Sequence, residues 1–597
     1  MFLRKLYSEP EGLFQPIEFR DGFNLIVAHR PTANMGGSLN GVGKSTALDL
    51  IDFCLLGSYK KNTGNRLVAA KDLIEKYMIV LEFEVDGVDY IIKRSAEDQN
   101  IVYFSRIDAK LEEYTLKSLS PILSDLIFLP RDYKGRYLNT WYRNLMHFFV
   151  KIHKHKTNTF ADPIEYMDKV ALRQFVCYHL FFLGIDNELL YKNNVLVVDH
   201  KKALETRKSV QEVAIESYGI EDIAEKRSQL QQLRRDLRKL EQNIEDYKLS
   251  ENYSDAEEEA NKLTATVKEL WLENISDRNR IKELRSSIAD KTTFTTADAR
   301  RTSLIYEELN KGFGLDVRAT LQDAIEYRKK LIESRQNFIQ SQVKDLENRI
   351  AERNVKLNKA EEERSNALSF LSARRAVADI SEAYLAINRK RSELSELESI
   401  IATNDRVERQ ILEIETEESK LNLEIKDFVN GIQASDVEKI TDTFLDIYSA
   451  IYKNEDRKPS FSIDDKMTTD SKVEIRVKVP SGLSKARNQG RILIYDLTVL
   501  LTMIKNKQRG PRFLIHDGVF DGMDPEHFNN LYIFLEEALH TGRFQYIATL
   551  NESESGGKGA LSGPLADDAR VSMKQLIDES VLDLTPNKKL FGEQFDD

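Results

Sequence analysis

Hydrophobic positions follow two different periods along the chain, and the change between them separates a central segment from the two ends. In residues 1–195 and again in residues 434–597, short apolar runs alternate with turn signals, which predicts the strands and helices of a globular α/β fold. Between these regions, apolar residues recur every three or four positions and proline is absent, as in a coiled coil. We therefore predict that the two ends of the chain form one globular head, into which a helical segment is inserted.

Several elements of the globular regions can be predicted individually. YMIVLEFEVDGVDYIIKRS (77–95) predicts a hairpin that turns at Asp86-Gly87. RFLIHD (512–517) and FQYIATL (544–550) are apolar strands of the kind found in parallel sheets. A buried helix is predicted for RILIYDLTVLLTMIKN, residues 491–506.

The central segment predicts long helices that pair along heptad seams. The outgoing leg, residues 196–292, has a seam at Leu230, Leu233, Leu237, Leu240, Ile244 and Tyr247. The returning leg, residues 319–433, has two seams, at Ile339, Val343, Leu346, Ile350 and Leu357 and at Val407, Ile411, Ile414, Glu418, Leu421, Ile425, Phe428 and Ile432. We predict an antiparallel hairpin that turns within residues 293–318, and roughly 70–90 helical residues would make it about 105–135 Å long. A shorter bundle of folded-back helices is the alternative, because the returning leg is longer than the outgoing leg.

The stretch NGVGKST has the pattern of a phosphate-binding loop. It lies between the predicted strand FNLIVA and the predicted helix TALDLIDFCLLG, which is the context that such a loop requires. Glycines let the backbone N–H groups approach phosphates, the lysine reaches the β- and γ-phosphates, and the serine hydroxyl ligates Mg²⁺. The predicted nucleotide-binding residues are Asn40, Gly41, Val42, Gly43, Lys44, Ser45 and Thr46. The chain departs from the usual pattern at Ser38, where glycine is expected, and in the extra segment HRPTANMGGS, so a chance glycine turn is the alternative.

Asp517 ends the apolar strand RFLIHD and is the second candidate for the magnesium site. An aspartate at the carboxyl end of a parallel strand holds the metal in many P-loop proteins, although a turn or helix-capping aspartate would have the same pattern. Lys44 and Asp517 are far apart in the sequence, so this site exists only if the two ends of the chain fold together.

Composition and charge narrow the class of protein. The net charge of −11 argues against a basic coat over the whole chain, although a local basic groove remains compatible with it. The two cysteines, Cys54 and Cys177, lie in apolar surroundings and predict buried thiols in a reducing compartment. The most apolar stretch, ALRQFVCYHLFFLGI (171–185), is too short to span a bilayer. We therefore expect a cytoplasmic protein without a membrane partner.

The two head segments resemble the SMC, RecF and RecN class of ABC-type ATPases, and more closely the SMC-like ATPase of bacterial ABC-three-component conflict systems. The resemblance rests on NGVGKST followed by LDLIDFCLLG, on RFLIHDGVFDGMD, on YIATLNE and on KKLFG, and it covers about 350 residues. It implies an α/β ABC-type P-loop ATPase head built from the N- and C-terminal segments, with a long antiparallel coiled-coil insertion. It also implies ATP and Mg²⁺ as ligands and a head-to-head homodimer that encloses two nucleotides.

The chain departs from this class of ATPases at several residues of the expected site. Gly518 stands where such ATPases usually have a catalytic glutamate, so Asp521 and His516 are the nearest candidates for catalysis. Asp524 matches the aspartate that ends the D-loop, and Leu550 and Asn551 replace the switch histidine. The segment SKARNQG stands at the signature loop, where we expect contacts to the γ-phosphate of the other subunit, or else a polar loop that merely caps a helix. Its candidate residues are Ser484, Arg487, Asn488, Gln489 and Gly490.

The leading functional hypothesis is an ATP-gated ATPase that handles or senses DNA in an antiphage or plasmid-defence system, with effector and accessory subunits. The alternatives are a repair ATPase of the RecF or RecN kind and a nucleotide-gated scaffold with little hydrolysis. Loss of the glutamate and the histidine predicts slow or conditional turnover. The basic stretch KIHKHKTNTF (151–160), together with Arg131, Lys134, Arg136 and Arg143, is a candidate DNA-phosphate patch or a solvated basic loop.

Overall fold

The protein divides into two compact units that draw on different parts of the sequence. The computed structural model describes residues 1–31, 38–59, 65–153, 162–218, 223–248, 254–289, 318–371, 376–432, 436–453, 458–480, 484–552, 559–566 and 569–592. The head is formed by Met1–Glu205 together with Arg409–Asp597, and the arm by Thr206–Glu408. Residues 293–317 of the predicted apex and the histidine-containing segment 154–160 lie outside the described residues.

The helices and strands are numbered in chain order. The strands are β1 (Phe2–Glu9), β2 (Ile17–Glu18), β3 (Gly22–Ala28), β4 (Met78–Val85), β5 (Val88–Ser95), β6 (Ile101–Arg106), β7 (Glu112–Thr115), β8 (Val150–Lys151), β9 (Ser460–Asp465), β10 (Val473–Lys478), β11 (Phe513–His516), β12 (Gln545–Asn551) and β13 (Leu582–Leu584). The helices are α1 (Lys44–Cys54), α2 (Arg66–Ala69), α3 (Lys71–Ile74), α4 (Leu116–Phe128), α5 (Tyr142–Phe149), α6 (Leu172–Leu183), α7 (Glu188–Tyr218), α8 (Ile223–Lys248), α9 (Ser254–Ala289), α10 (Arg318–Leu371), α11 (Ala376–Ile432), α12 (Asp436–Ile451), α13 (Lys485–Lys505), α14 (Pro525–Ala538) and α15 (Met573–Asp578).

The head contains a parallel sheet and an antiparallel sheet that share one hydrophobic core. The parallel sheet has the order β13-β3-β12-β11-β8, so strands from both ends of the sequence lie side by side in it. The antiparallel sheet has the order β2-β1-β4-β5-β6-β7. Every residue of β3, β11 and β12 is buried, which agrees with the continuous apolar runs that predicted them.

The hairpin of β4 and β5 turns at Asp86-Gly87, as the sequence predicts. Both residues have positive φ, 52° and 79°, the conformation that a two-residue turn between twisted strands requires. Val85 pairs with Val88 next to the turn, and the register continues to Met78 and Ser95.

The arm consists of helices that run in opposite directions beside one another. Between α9 and α10, Arg285 lies 2.6 Å from Glu347, while Arg353, further along α10, lies 2.5 Å from Asp277, which comes earlier in α9. A small core made of Ile281, Ile339, Val343 and Leu346 lies between these two helices. Helices α8 and α11 pair in the same sense through Arg234 and Glu398, 2.5 Å apart, and through Arg391 and Glu241. Leu237 of the predicted seam is buried with Ile387, whereas the side chains of Ile244 and Tyr247 lie outside the described part of the chain.

Two elements of the head differ from the predictions. Helix α13 begins at Lys485, six residues before the predicted start, because Ser484 caps it by accepting a hydrogen bond from the Arg487 N–H at 3.4 Å. Strand β8 was not predicted, since it has only two residues, Val150 and Lys151, and a pattern of that length carries no period.

Candidate functional site

The loop between β3 and α1 has the backbone conformation expected of a phosphate-binding loop. Gly41 and Gly43 have positive φ, 79° and 107°, and Gly43 directly precedes the first turn of α1. A Cβ at position 43 would lie 2.4 Å from the Cβ of Leu590, so no side chain fits there. The N–H of Leu590, in the KKLFG segment, donates to the carbonyl of Val42 at 2.9 Å, so this segment packs against the loop.

Lys44 is buried at the start of α1. Its Nζ donates to the carbonyl of Leu39 at 3.0 Å, within the same loop. Burial lowers the pKa of Lys44 to about 8, and the nearby charge of Asp517 opposes this shift. A partly desolvated ammonium that donates to a loop carbonyl is suited to exchange that contact for phosphate oxygens.

The structure brings Asp517 to the loop, although the two are far apart in the sequence. The Ser45 hydroxyl donates to Asp517 Oδ1 at 2.9 Å, and the Thr549 hydroxyl donates to the same oxygen at 3.0 Å. The sheet order explains this meeting, because β12 lies between β3 and β11 and all three strands end at the same edge. A hydroxyl and a carboxylate at this separation are oxygen ligands of the kind that Mg²⁺ takes.

Two residues of the site were missed by the sequence predictions. Thr549, in β12, also accepts a hydrogen bond from the Gly518 N–H at 2.9 Å, so it links the two residues at the end of β11. Arg66, at the start of α2, pairs with Asp49 at 2.8 Å, and its Nη2 lies 3.8 Å from Asp517 Oδ2. Arg66 belongs to no motif, and Thr549 lies in the YIATLNE stretch without being predicted as a site residue, so only the fold shows that both reach Asp517.

The backbone conformation explains why glycine occupies position 518. Its φ is +71°, in the left-handed region that disfavours a side chain. A Cβ on Gly559 would lie 3.6 Å from the Cα of Gly518, so a second chain segment packs against it. The Gly518 carbonyl accepts a hydrogen bond from Gln489 Nε2 at 3.3 Å.

The two candidate catalytic residues have different surroundings. His516 is fully buried, and its ring nitrogens lie 2.9 Å from the Tyr546 hydroxyl and 2.9 Å from Asp496 Oδ2. Burial lowers the pKa of His516, which keeps the ring neutral. Asp521 forms an ion pair with Lys485, at the start of α13. These contacts argue against His516 as the group that binds the attacking water. The catalytic role of Asp521 stays a prediction.

The signature-like segment forms the first two turns of α13 rather than a loop. Arg487 stacks on the ring of Tyr452 at 4.3 Å, and Asn488 accepts hydrogen bonds from Arg491 at 3.1 and 2.8 Å. Gly490 is buried, and a Cβ there would lie 2.1 Å from the Tyr452 hydroxyl. Ser484 and Lys485 are the exposed members of the segment. A role for the segment in trans stays a prediction, and within one chain it packs on its own head.

Asp524 and Asn551 occupy structured positions at the edges of the site. Asp524 caps α14, because its Oδ1 accepts from the Glu526 N–H at 2.9 Å. Asn551 ends β12 and is buried, and its N–H donates to the carbonyl of Gly559 at 3.1 Å.

A buried ionic network is adjacent to Asp517. Lys151 Nζ pairs with Asp496 at 2.7 Å, Asp496 also contacts His516, and all three side chains are fully buried. The Asp517 N–H donates to the Lys151 carbonyl at 3.0 Å, so β8, β11 and α13 meet at this point. Burial lowers the pKa of Lys151, and the contact with Asp496 opposes that shift.

Three of the basic residues proposed for DNA contact form ion pairs within the chain. Arg131 lies 3.4 Å from Asp86, Arg136 lies 3.2 Å from Glu188, and Arg143 lies 2.6 Å from Asp52. These ion pairs offset part of the positive field that phosphates would meet.

Comparison with known proteins gives two family matches. Residues 11–293 match the AAA domain, and residues 447–595 match the family described as an uncharacterised protein conserved in bacteria (DUF2326). No curated protein matches the chain.

Two solved structures are similar to this chain. One is the Smc head domain with a coiled coil and joint from Pyrococcus yayanosii, with 14% identity and a TM-score of 0.32, covering 94% of this chain and 96% of that one. The other is the Smc head domain with an extended coiled coil bound to the C-terminal domain of ScpA, from Pyrococcus furiosus, with 12% identity, a TM-score of 0.31 and 94% coverage of both chains.

The AAA-domain match supports the predicted class, a nucleotide-binding ATPase, for the part of the chain that contains the loop at Lys44. Among the described residues, no helix combines the length and hydropathy needed to cross a membrane.

Proposed function

We propose that this chain is an SMC-like ATPase that holds Mg·ATP between the loop at residues 40–46 and Asp517. The observation that carries the proposal is the 2.9 Å hydrogen bond from the Ser45 hydroxyl to Asp517 Oδ1. Two groups from opposite ends of the sequence meet there, at the carboxyl edge of a parallel sheet. This is where P-loop proteins bind the metal of a nucleoside triphosphate.

Each residue of the site has a defined part in binding. The positive-φ glycines let the loop curl around phosphates, and Lys44 would leave Leu39 to neutralise the β- and γ-phosphates. Ser45 and Asp517 would hold Mg²⁺ together with phosphate oxygens and waters, which are the oxygen ligands that this ion prefers. Among the described residues, no cluster of three or more histidines, cysteines or carboxylates forms a separate metal site.

We infer dimer formation, the role of the arm and the partners from the resemblance to SMC-like ATPases. Two heads would close on ATP as a homodimer, with Ser484 and Arg487 of one head facing the nucleotide of the other and Asp524 near the interface. The antiparallel helices of residues 196–433 would form a coiled-coil arm. Closure of the heads would act on DNA or on an effector subunit of a bacterial defence system. RecF- or RecN-like repair is the alternative within the same class.

Nucleotide binding and turnover by the full-length protein test this proposal. Affinity for a fluorescent ATP analogue should fall at least about tenfold in Lys44→Ala, because the analogue loses its main cationic contact. Asp517→Asn should retain binding in EDTA and lose the gain that Mg²⁺ provides. A wild-type protein that binds no Mg·ATP would refute the proposal. A rise in phosphate release on adding duplex DNA would support DNA handling.

A nucleotide-gated scaffold is a second candidate, favoured by the glycine at position 518. A residue without a side chain provides no group to accept a proton from water. Under this candidate, Mg·ATP binds tightly while hydrolysis stays near the protein-free background both with and without DNA. The same two assays therefore separate the scaffold from the ATPase.

A further inference from the structure

We infer that Gln489 orients the attacking water within its own subunit, in the role that a glutamate side chain at position 518 would otherwise have. The inference rests on the proposed ATPase function and adds to it a residue with a specific task. Gln489 lies in the second turn of α13, and its side-chain amide contacts Gly518, the residue that follows Asp517.

The contacts of Gln489 place its amide beside the magnesium-binding strand. Its Nε2 donates to the Gly518 carbonyl at 3.3 Å, so its Oε1 lies within about 6 Å of that carbonyl, given the size of a planar amide. Gly518 follows Asp517 directly, and its own N–H is held by Thr549. The amide is thus anchored to the residue next to the proposed metal ligand.

The other end of the amide has an unused acceptor. Gln489 is 7% exposed, and its Oε1 is buried without a hydrogen-bond partner among the described residues. Buried acceptors are nearly always satisfied, and a bound water is one explanation for an exception. Because Nε2 is directed at a carbonyl, the amide orientation leaves Oε1 available to accept from a water O–H.

A water held in this way would attack the γ-phosphorus of ATP. The bond between the water oxygen and phosphorus forms as the bond to the β–γ bridging oxygen breaks, and ADP leaves with that electron pair. One water hydrogen stays on the new phosphate, and the other passes to a phosphoryl oxygen or to solvent, since an amide is not a base. A glutamine acts on water in this manner in GTPases. Gln489 therefore supplies orientation without proton abstraction, which predicts slow intrinsic turnover.

Substitutions at position 489 test the inference in the full-length protein. Gln489→Leu keeps the size of the side chain and removes both polar atoms, so kcat should fall by about 10²-fold, with the Kd for Mg·ATP within about twofold of wild type. Gln489→Glu keeps the size of the side chain but replaces the Nε2 donor with an oxygen that faces the Gly518 carbonyl, so the side chain loses its anchor and kcat should fall at neutral pH. Protonation of this carboxyl restores a donor, and burial raises a carboxyl pKa, so the loss relative to wild type should become smaller as the pH decreases.

A matched control lies beyond the other end of the same helix. Gln508 also donates its Nε2 to a main-chain carbonyl, that of Phe181 at 2.5 Å, and its Oε1 is also buried without a partner among the described residues. Gln508→Leu should therefore leave kcat and the pH profile unchanged. Thermal unfolding of all three variants identifies any that fail to fold.

The outcomes separate this inference from the proposed function. A wild-type protein that binds no Mg·ATP overturns both. Mg·ATP binding with no hydrolysis above background, or equal kcat for wild type and a folded Gln489→Leu, overturns the role of Gln489 and leaves nucleotide binding standing. A folded Gln489→Glu that hydrolyses Mg·ATP as fast as wild type at neutral pH also overturns that role.

Discussion

Thr549 joins Asp517 to Gly518 through a single hydroxyl, which donates to one residue and accepts from the other. Thr549→Val keeps the shape of the side chain but leaves the buried Gly518 N–H without its acceptor. We expect a loss of about 1–3 kcal/mol in unfolding free energy and weaker Mg²⁺-dependent nucleotide binding. Thr549→Ser retains the hydroxyl and should keep most of both. Urea unfolding and nucleotide titration measure the two effects, and equal behaviour of the Val and Ser variants would contradict this role.

Backbone strain at residue 518 limits what a restored glutamate can do. At a φ of +71°, adding a side chain lowers the free energy of unfolding by about 1–2 kcal/mol. Gly518→Glu should therefore lower stability and fail to raise ATP turnover. Gly87 has a similar φ of 79° with no atom near its missing Cβ, so Gly87→Ala measures the backbone strain alone. A Gly518→Glu variant that is as stable as wild type and hydrolyses ATP faster would contradict this expectation.

His179 should make the head sensitive to acid. Its Nε2 donates to the Ile164 carbonyl at 3.0 Å and its Nδ1 accepts from the Tyr495 hydroxyl at 2.9 Å, so the buried ring is held neutral. Burial lowers its pKa to about 4 from 6.5. Between these values the unfolded chain binds more protons than the folded one, so stability should fall as pH decreases from about 6.5 to 4, by on the order of 3 kcal/mol.

His179→Gln preserves one donor and one acceptor and cannot titrate, so its stability should change less over the same pH range. His540→Gln, at an exposed position, serves as the control and should follow the wild type. Chemical unfolding at pH 4.5 and 6.5 makes the comparison. Parallel pH dependence of the His179→Gln variant and wild type would show that another group is responsible.

At the scale of elements, the buried pair of Lys151 and Asp496 fixes α13 against β8. Asp496→Asn leaves the fully buried ammonium of Lys151 without its counter-charge. Such a change typically lowers the free energy of unfolding by about 3–5 kcal/mol. In a Lys151→Met background, Asp496→Asn should cost much less, because no charge is left uncompensated. A double-mutant cycle by urea unfolding measures this coupling, and additive losses would contradict the pairing.

Elements with a long, regular pattern could be predicted from the sequence, whereas contacts between distant elements could be predicted only where a motif marks both partners. The hairpin at Asp86-Gly87 and the apolar strands β3, β11 and β12 follow from period and turn residues. Lys44 and Ser45 are contiguous with a motif, so their proximity to Asp517 could be hypothesised from chemistry. Arg66 carries no local signal, and nothing in YIATLNE marks Thr549 as a partner of Asp517, so only the folded structure shows that both residues reach this site. The early start of α13 could have been predicted from Ser484, a good helix cap followed by helix-forming residues.

For the whole molecule, the strand order explains why a long insertion is compatible with one nucleotide site. Strands β3 and β8 come from the N-terminal segment, and β11, β12 and β13 come from the C-terminal segment. Each segment alone would leave gaps in the parallel sheet, so this sheet is complete only when both are present. The arm has its own small cores, such as the one around Leu346. The two units can therefore differ in stability.

Leu346→Ala tests this independence. Leu346 is 3% exposed and packs with Ile281, Ile339 and Val343. Its truncation should therefore lower the stability of the arm by about 2–5 kcal/mol. We expect faster amide exchange in α9 and α10, unchanged exchange in β3 and β11, and an unchanged Kd for Mg·ATP. Val355, on α10 and 69% exposed, provides the control, since Val355→Ala should change neither measurement. Weaker ATP binding in Leu346→Ala would mean that packing in the arm contributes to the nucleotide site. Unchanged exchange in α9 and α10 would refute the packing itself.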